Sequence, residues 1–307
     1  MQDFKHKLGL VIPTKDRPRD LKRLLSSIRM QSYKPDEIII VDGGDEPVDS
    51  LLGEFRGLSL RYIREYPPSL TRQRNVGIQA VDRSVTLLGF LDDDVVVEEG
   101  ALESMLSFWE SAPDGLGGAA FHIVGDGNSR GSFLSPLKSL FLTGSQQEGV
   151  VLRSGHNTMV RSSDGTNYAQ WLSGAATIWR REILDKYKFD EWFAGYGLGE
   201  DLEFSYRVGK TYKLAVVGEA QVQHLTAPPE QRDNYRFGQM EIVNRFYFVR
   251  KNPELSIALF WWASFWQVLE NAFRSVIGLR KPYLVRVLGN LSGFVKALSS
   301  RTSRITD

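Results

Sequence analysis

A series of short apolar runs, each stopping at polar residues and separated by helix-period segments, does most to limit what this chain can fold into. Leu8–Pro13, Glu37–Asp42 and Val85–Leu91 are nearly continuous in apolar character, as strands covered on both faces are. Leu58–Ile63 reads as a further strand between the second and the last of these. Between the runs, Leu21, Leu24, Leu25 and Ile28 recur at helical spacing, a loose helix fits Leu51–Phe55, and Ser69–Ala80 reads as helix. Strand–helix alternation with short connections predicts an α/β fold, a parallel sheet flanked by helices. In such sheets ligands gather at the carboxyl ends of the strands. Pro13–Thr14, Asp42 and Asp92–Asp94 all fall at such ends, which points to a nucleotide-type site.

Asp92, Asp93 and Asp94 follow the most buried run directly. Three adjacent carboxylates repel one another, and a divalent cation removes that cost. While the chain stays extended, Asp92 and Asp94 face one side and Asp93 the other. Asp94 is the expected metal ligand, with Asp92 and Asp93 on the donor side and Asp92 contacting a sugar or ribose. A solvated strand end with helix-capping aspartates would have the same local sequence; the other strand ends favour the site.

Further along, Leu102, Met105, Leu106 and Trp109 mark an amphipathic helix and Gly117–Val124 a strand. Residues 125–164 are rich in Gly, Ser and Asn, long for a connection, and read as a functional loop with a short helix near Pro136–Leu142. Trp171–Arg181 enters a strand and then a short helix. Another helix runs from the Gly197–Glu203 segment to about Val208, and Leu214–Val217 and Ala220–His224 are late strands. Residues 1–230 are therefore expected to form the α/β domain, and 231–307 a helical, aromatic and basic extension.

The 307 residues include no cysteine, which excludes disulfides, thiolate zinc sites and cysteine nucleophiles and fits a reducing compartment. The N-terminus is too short in apolar content for a signal peptide. A net charge of +1 argues against nucleic-acid binding. The charge is uneven: Arg274–Thr306 holds no acid but contains Arg274, Arg280, Lys281, Arg286, Lys296, Arg301 and Arg304. Just before it, Leu255–Leu269 is uncharged and aromatic. It falls short of the ~20 residues that span a bilayer, and Glu270, Asn271 and Arg274 are expected to end it. A membrane-surface platform for anionic lipid is the preferred reading of this region; a plain helical cap and a homodimer surface are the others.

Taken in order, Val11–Thr14 with Arg17, Ile40–Gly43, Arg74–Gly77, Leu91–Asp94, Leu172–Ala175 with Arg180–Arg181, and Gly199–Glu203 resemble the family-two glycosyltransferases, which are inverting enzymes of the GT-A fold. The resemblance covers roughly residues 8 to 225. It implies a mixed sheet flanked by helices, a nucleoside-diphosphate sugar donor (a UDP-sugar), Mn2+ or Mg2+, and a glycan or lipid-linked acceptor. The Gln-x-x-Arg-Trp signature of processive synthases is missing, which favours transfer of one or a few sugars. The implied setting is cytoplasmic, peripheral at the inner face of a membrane.

The resemblance also distributes roles. Pro13 and Thr14 supply backbone contacts beside Asp42, which accepts from a base N–H; a turn-opening role for Asp42 is the alternative. Arg17 belongs to the donor motif. Arg72 and Arg74 reach phosphate oxygens, unless they line a solvated helix face, and Asn75 and Gly77 allow close approach to the donor. His224 joins Asp94 on the metal. Asp201 is the general base and Glu200 orients the acceptor, although acids in a helix's first turn are also favoured by its dipole. Gly174 and Trp171 lie on the acceptor side, with core packing the other reading of Trp171. Rival functions are a sugar-phosphate nucleotidyltransferase, disfavoured because Ile12–Pro18 has no glycine-rich phosphate loop, and a non-catalytic nucleotide-sugar-binding subunit.

Overall fold

The computed structural model describes residues 4–124, 135–225, 228, 230, 232–277 and 281–299. The first part of the expected 125–164 loop and Arg280, Arg301 and Arg304 lie outside the described residues. The strands are β1 (Leu8–Thr14), β2 (Glu37–Asp42), β3 (Leu60–Arg64), β4 (Leu87–Leu91), β5 (Val95–Val97), β6 (Leu116–Val124), β7 (Thr166–Ala169), β8 (Ala176–Arg180) and β9 (Lys213–His224). The helices are α1 (Pro18–Met30), α2 (Asp49–Leu52), α3 (Leu70–Ala80), α4 (Ala101–Glu110), α5 (Ser135–Leu140), α6 (Arg181–Lys186), α7 (Glu200–Gly209), α8 (Asn234–Lys251), α9 (Ile257–Ile277) and α10 (Lys281–Leu298).

The chain divides into two compact units. The first draws on residues 1–127, 160–191 and 200–225, the second on 128–159, 192–199 and 226–307. The expected boundary near residue 230 thus misses two inserted segments that join the C-terminal helices.

All the strands belong to the first unit, in the order β3-β2-β1-β4-β8-β6-β9-β5, with β7 on β9. The β3-β2-β1-β4 part is parallel, as expected. Beyond β4 the sheet is mixed, because β8 runs antiparallel to both β4 and β6. Leu8, Leu10 and Ile12 of β1 pack into one apolar cluster and Val11 into another, so both faces of the sheet are covered. Each such buried side chain is worth roughly 1.5–3 kcal/mol. On α1 the stripe Leu21, Leu24, Leu25 and Ile28 is buried, and Pro18 starts the helix where no amide hydrogen is needed. Gly77 is needed for packing: a Cβ there would lie 2.3 Å from Val11 Cγ1. The close approach seen at Gly77 is that of α3 to β1.

Three local expectations change. The two late strands are one strand, β9, whose register against β6 shifts between Phe121 and His122. β5 and β7, of three and four residues, are too short for periodicity to announce. In the second unit the helix continues past the charged residues that close the apolar run. α9 runs on for 21 residues because Glu270 pairs with Arg274 one turn later at 2.6 Å and Asn271 donates to Asn290 Oδ1 at 3.1 Å. No helix among the described residues is long and apolar enough to cross a membrane.

Candidate active site at the carboxyl edge of the sheet

The strand ends in the first unit bring the acidic residues together. β4 stops at Leu91, and a turn closed by Val95 N–H to Asp92 O at 3.2 Å projects the three aspartates. β5 follows at once and pairs with β9 so that Val95 lies opposite His224. That short strand carries His224 to Asp94, Nε2 to Oδ1 at 3.1 Å. Ligand atoms of Asp92, Asp94 and His224 all lie within 4.8 Å of one another, a spacing one cation can bridge. Asp93 points elsewhere, accepting from Thr14 Oγ1 at 2.8 Å and Arg17 Nη1 at 3.1 Å. Arg17 Nη1 also reaches Asp94 Oδ2 at 2.9 Å, which ties the start of α1 to the cluster.

A second group of acids is organised by Arg74, on α3. Its side chain is 1 % exposed and its guanidinium lies over the rings of Phe90 and Phe189, 5.7 and 5.3 Å from their centroids. It donates through Nη1 to Glu200 Oε1, and through Nη2 to Asp92 Oδ1 at 2.8 Å and Gly174 O at 3.1 Å. Gly174 N–H in turn donates to Asp201 Oδ2 at 2.9 Å, while Asp201 Oδ1 accepts from Leu202 N–H at 2.8 Å. Asp92, Arg74, Gly174, Glu200 and Asp201 thus form one connected network from β4 to the first turn of α7. Gly174 has no room for a side chain: a Cβ would sit 2.8 Å from Asp201 Cβ and 3.1 Å from Arg74 Nη1.

Burial sets the electrostatics. It raises the Glu200 carboxyl to about 8; Arg74 opposes the rise, and the negative Asp201 and Asp92 add to it. Burial works against the Arg74 charge too, but Glu200, Asp92 and Asp201 more than offset it and hold the guanidinium charged. Desolvation lifts Asp93 to about 7 against Arg17 and Thr14, and lifts Asp92 as well, against Arg74. At Asp94 burial would also raise the pKa, yet the hydrogen bond and charge of His224, with Arg17, outweigh it and hold the carboxyl below its usual range.

The remaining sequence-predicted residues divide. Asp42 sits at the end of β2 opposite Thr14. Its carboxylate is fully buried and already accepts from Gly44 N, Val48 N, Tyr62 Oη and Arg64 Nη1 at 2.7 to 3.1 Å. A base N–H would have to share or displace one of these. Tyr62 and Arg64 carry no signal in the local sequence, because they meet Asp42 only across the β2–β3 pairing. Pro13 is buried within β1. Arg74 does not line an open phosphate site, since its guanidinium is buried and donates to Glu200, Asp92 and Gly174. Arg72 pairs with Glu65 and remains partly exposed. Asn75 is buried and bridges to Phe189, donating to its O and accepting from its N–H at 3.0 Å each, and to Glu191 Oε1 at 3.0 Å. It holds the segment before α7 rather than meeting a donor directly. Trp171 is 6 % exposed, so its ring offers no open face to a sugar. Gln73 was missed: its Nε2 donates to Thr14 O and Val41 O, clamping the ends of β1 and β2.

Known proteins carry similar architecture. A mannosyltransferase from Pyrobaculum calidifontis, solved with GDP-Man and Mn2+, superposes with TM-score 0.60 at 13 % identity, over 98 % of this chain and 91 % of that one. The S. aureus TarS 1-349 structure with UDP-GlcNAc does so with TM-score 0.51 at 18 % identity, over 98 % and 84 %. At such identities the likeness shows the fold, and that fold is GT-A. A validoxylamine A glucosyltransferase from Streptomyces hygroscopicus subsp. limoneus is 25 % identical over 275 residues, which cover 83 % of this chain and 58 % of that enzyme's length. Residues 10–164, half of the chain, match the family model of glycosyl transferase family 2, including most of β1, all of β2 and the Asp92–Asp94 turn. With that match and the GT-A sheet carrying its acids at the carboxyl edge, this chain belongs to glycosyl transferase family 2.

Proposed function

We propose that this chain transfers a sugar from a UDP-sugar to a hydroxyl of a glycan or lipid-linked acceptor, inverting the anomeric carbon, with Mn2+ or Mg2+ as the assisting ion. One observation carries the reading: a single hydrogen-bonded network joins Asp201 to Asp92, which belongs to the Asp92–Asp94–His224 set. Two carboxylates and an imidazole suit a hard or borderline divalent ion. Asp92, Asp94 and His224 would hold that ion, which supplies Lewis-acid stabilisation of the leaving diphosphate. The relatives named above, solved with UDP-GlcNAc or with GDP-Man and Mn2+, support a nucleoside-diphosphate sugar donor.

In this reading Asp201 accepts the proton of the acceptor hydroxyl as that oxygen bonds to the anomeric carbon and the bond to the diphosphate breaks. The N–H groups of Gly174 and Leu202 hold one Asp201 oxygen each and fix its direction. Arg74 positions Glu200 and the Gly174 turn rather than touching the donor. Arg17, which pairs with Asp93 and Asp94, is the basic residue this reading assigns to the diphosphate.

The test is manganese-dependent release of UDP across a panel of UDP-sugars, together with donor binding by thermal shift. Asp201→Asn should abolish transfer and keep UDP binding. A protein that neither binds nor cleaves any nucleotide sugar, or an Asp201→Asn variant transferring at the wild-type rate, would overturn the proposal.

A further inference from the structure

The second unit wears its large apolar residues on the outside. On α9, Trp262, Phe265, Leu269, Phe273 and Val276 each leave 40 % or more of their surface to solvent. Their spacing of three and four residues places them on one stripe. On α10, Leu284, Leu288, Leu291, Val295 and Leu298 repeat the pattern, each more than half exposed. The buried face of α10 is small or polar instead: Gly289, Asn290, Gly293 and Ala297. That face packs backbone-close on α8, where a Cβ on Gly289 would lie 2.0 Å from Tyr235 O and one on Gly238 2.3 Å from Arg286 O. Asn290 locks the contact by donating to Gly238 O at 2.9 Å. α10 is therefore inside-out for a helix meant to face water alone. α5 extends the apolar surface, with Leu137 and Leu140 exposed and Phe141 stacked on Trp266 at 3.7 Å.

Charge says what covers this surface. Glu270 is the sole acid in the sequences of α9 and α10, and it is paired with Arg274 at 2.6 Å and Lys138 at 3.8 Å. Lys281 begins α10 exposed, and no acid follows until Asp307. Tryptophan and phenylalanine on one side, and an excess of basic groups over the one acid of the two helices, describe a helix pair that lies in a headgroup layer. Neither helix meets the length and apolarity that crossing requires.

We propose that α9 and α10 dock this protein on an anionic lipid surface, lying in its plane with the two stripes inserted. The proposal stands independently of sugar transfer. The test is co-sedimentation of the full chain with phosphatidylcholine vesicles, with and without roughly 30 % phosphatidylglycerol. Binding should need the anionic lipid and weaken steeply with salt, as screening demands. Leu288→Ser/Leu291→Ser/Val295→Ser and Trp262→Ser/Phe265→Ser change only exposed positions and should each weaken binding on the order of tenfold or more. Lys281→Gln, which leaves the apolar stripe whole, should weaken it by about fivefold. Circular dichroism and the melting temperature confirm that each variant is folded. Sedimentation equilibrium supplies the opposing outcome. A wild-type dimer that the serine variants turn into monomers, or a wild-type protein that ignores anionic vesicles, would overturn the proposal.

Discussion

Replacing Arg74 with Met tests the network at its centre. The substitution keeps an unbranched apolar side chain between Phe90 and Phe189 but removes the donors to Glu200, Asp92 and Gly174. Breaking a buried ion pair on one side costs about 3–5 kcal/mol. At pH 7 the lower end applies, because Glu200 lies at about 8 and can stay protonated when its partner leaves. For a unit of this size that is a fall in melting temperature of roughly 6–12 °C. The pH dependence is more specific. Below about pH 8 Glu200 holds its proton in both proteins, so the difference between them is flat. Above it the wild type ionises Glu200 against Arg74, whereas the variant must keep an unpaired buried carboxyl protonated. The gap should then widen by about 1.4 kcal/mol per pH unit. Adding Glu200→Gln removes the titrating group and should abolish the widening. Thermal melts of the wild type, both single variants and the double variant from pH 6 to 9 read all of this. A cost for Arg74→Met that is equal at pH 6 and pH 9, or that simply adds to that of Glu200→Gln, would refute the coupling.

Other consequences are open to direct measurement. Because the folded-state pKa of Glu200 is raised above its ordinary 4.5 to about 8, its contribution to stability is fully present below pH 4.5 and is lost as pH rises to 8; up to about 5 kcal/mol of that slope should vanish in Glu200→Gln, read as stability against pH in the metal-free protein. Gly174→Ala forces a Cβ to 2.8 Å from Asp201 Cβ, and should cost about 1–3 kcal/mol and lower turnover more than it weakens UDP binding; separate kcat and donor Kd values decide. Asp94→Ala should eliminate the extra thermal stabilisation that Mn2+ adds to UDP, as should a chelator added to the wild type. An unchanged Mn2+ effect in that variant would remove Asp94 from the metal set.

Local pattern made a good part of the molecule legible. The runs at Leu8, Glu37 and Val85 are strands because nearly every residue in them is apolar, and a strand buried on both faces has to look like that. The carboxyl-edge position of Asp42 and Asp92–Asp94 then followed from how parallel strands are connected. Side-chain direction at a turn, and the choice of partner for a charge, were not legible. Arg74 reads as a phosphate fork from its place on α3, but Glu200, 126 residues away, claims it once α7 is packed. His224 meets Asp94 only because three residues of β5 pair with β9. Whether α9 stopped at Glu270 turned on a one-turn ion pair and on a buried asparagine contributed by α10. Periodicity is set by the nearest few residues, so the sequence alone determined the parallel strands β1–β4, the helices between them and the edge where acids collect. Desolvation and ion pairing act between residues that only the folded chain brings together, so the tertiary structure decided which of those acids cluster with His224, which hold Arg74, and which side of α10 meets solvent.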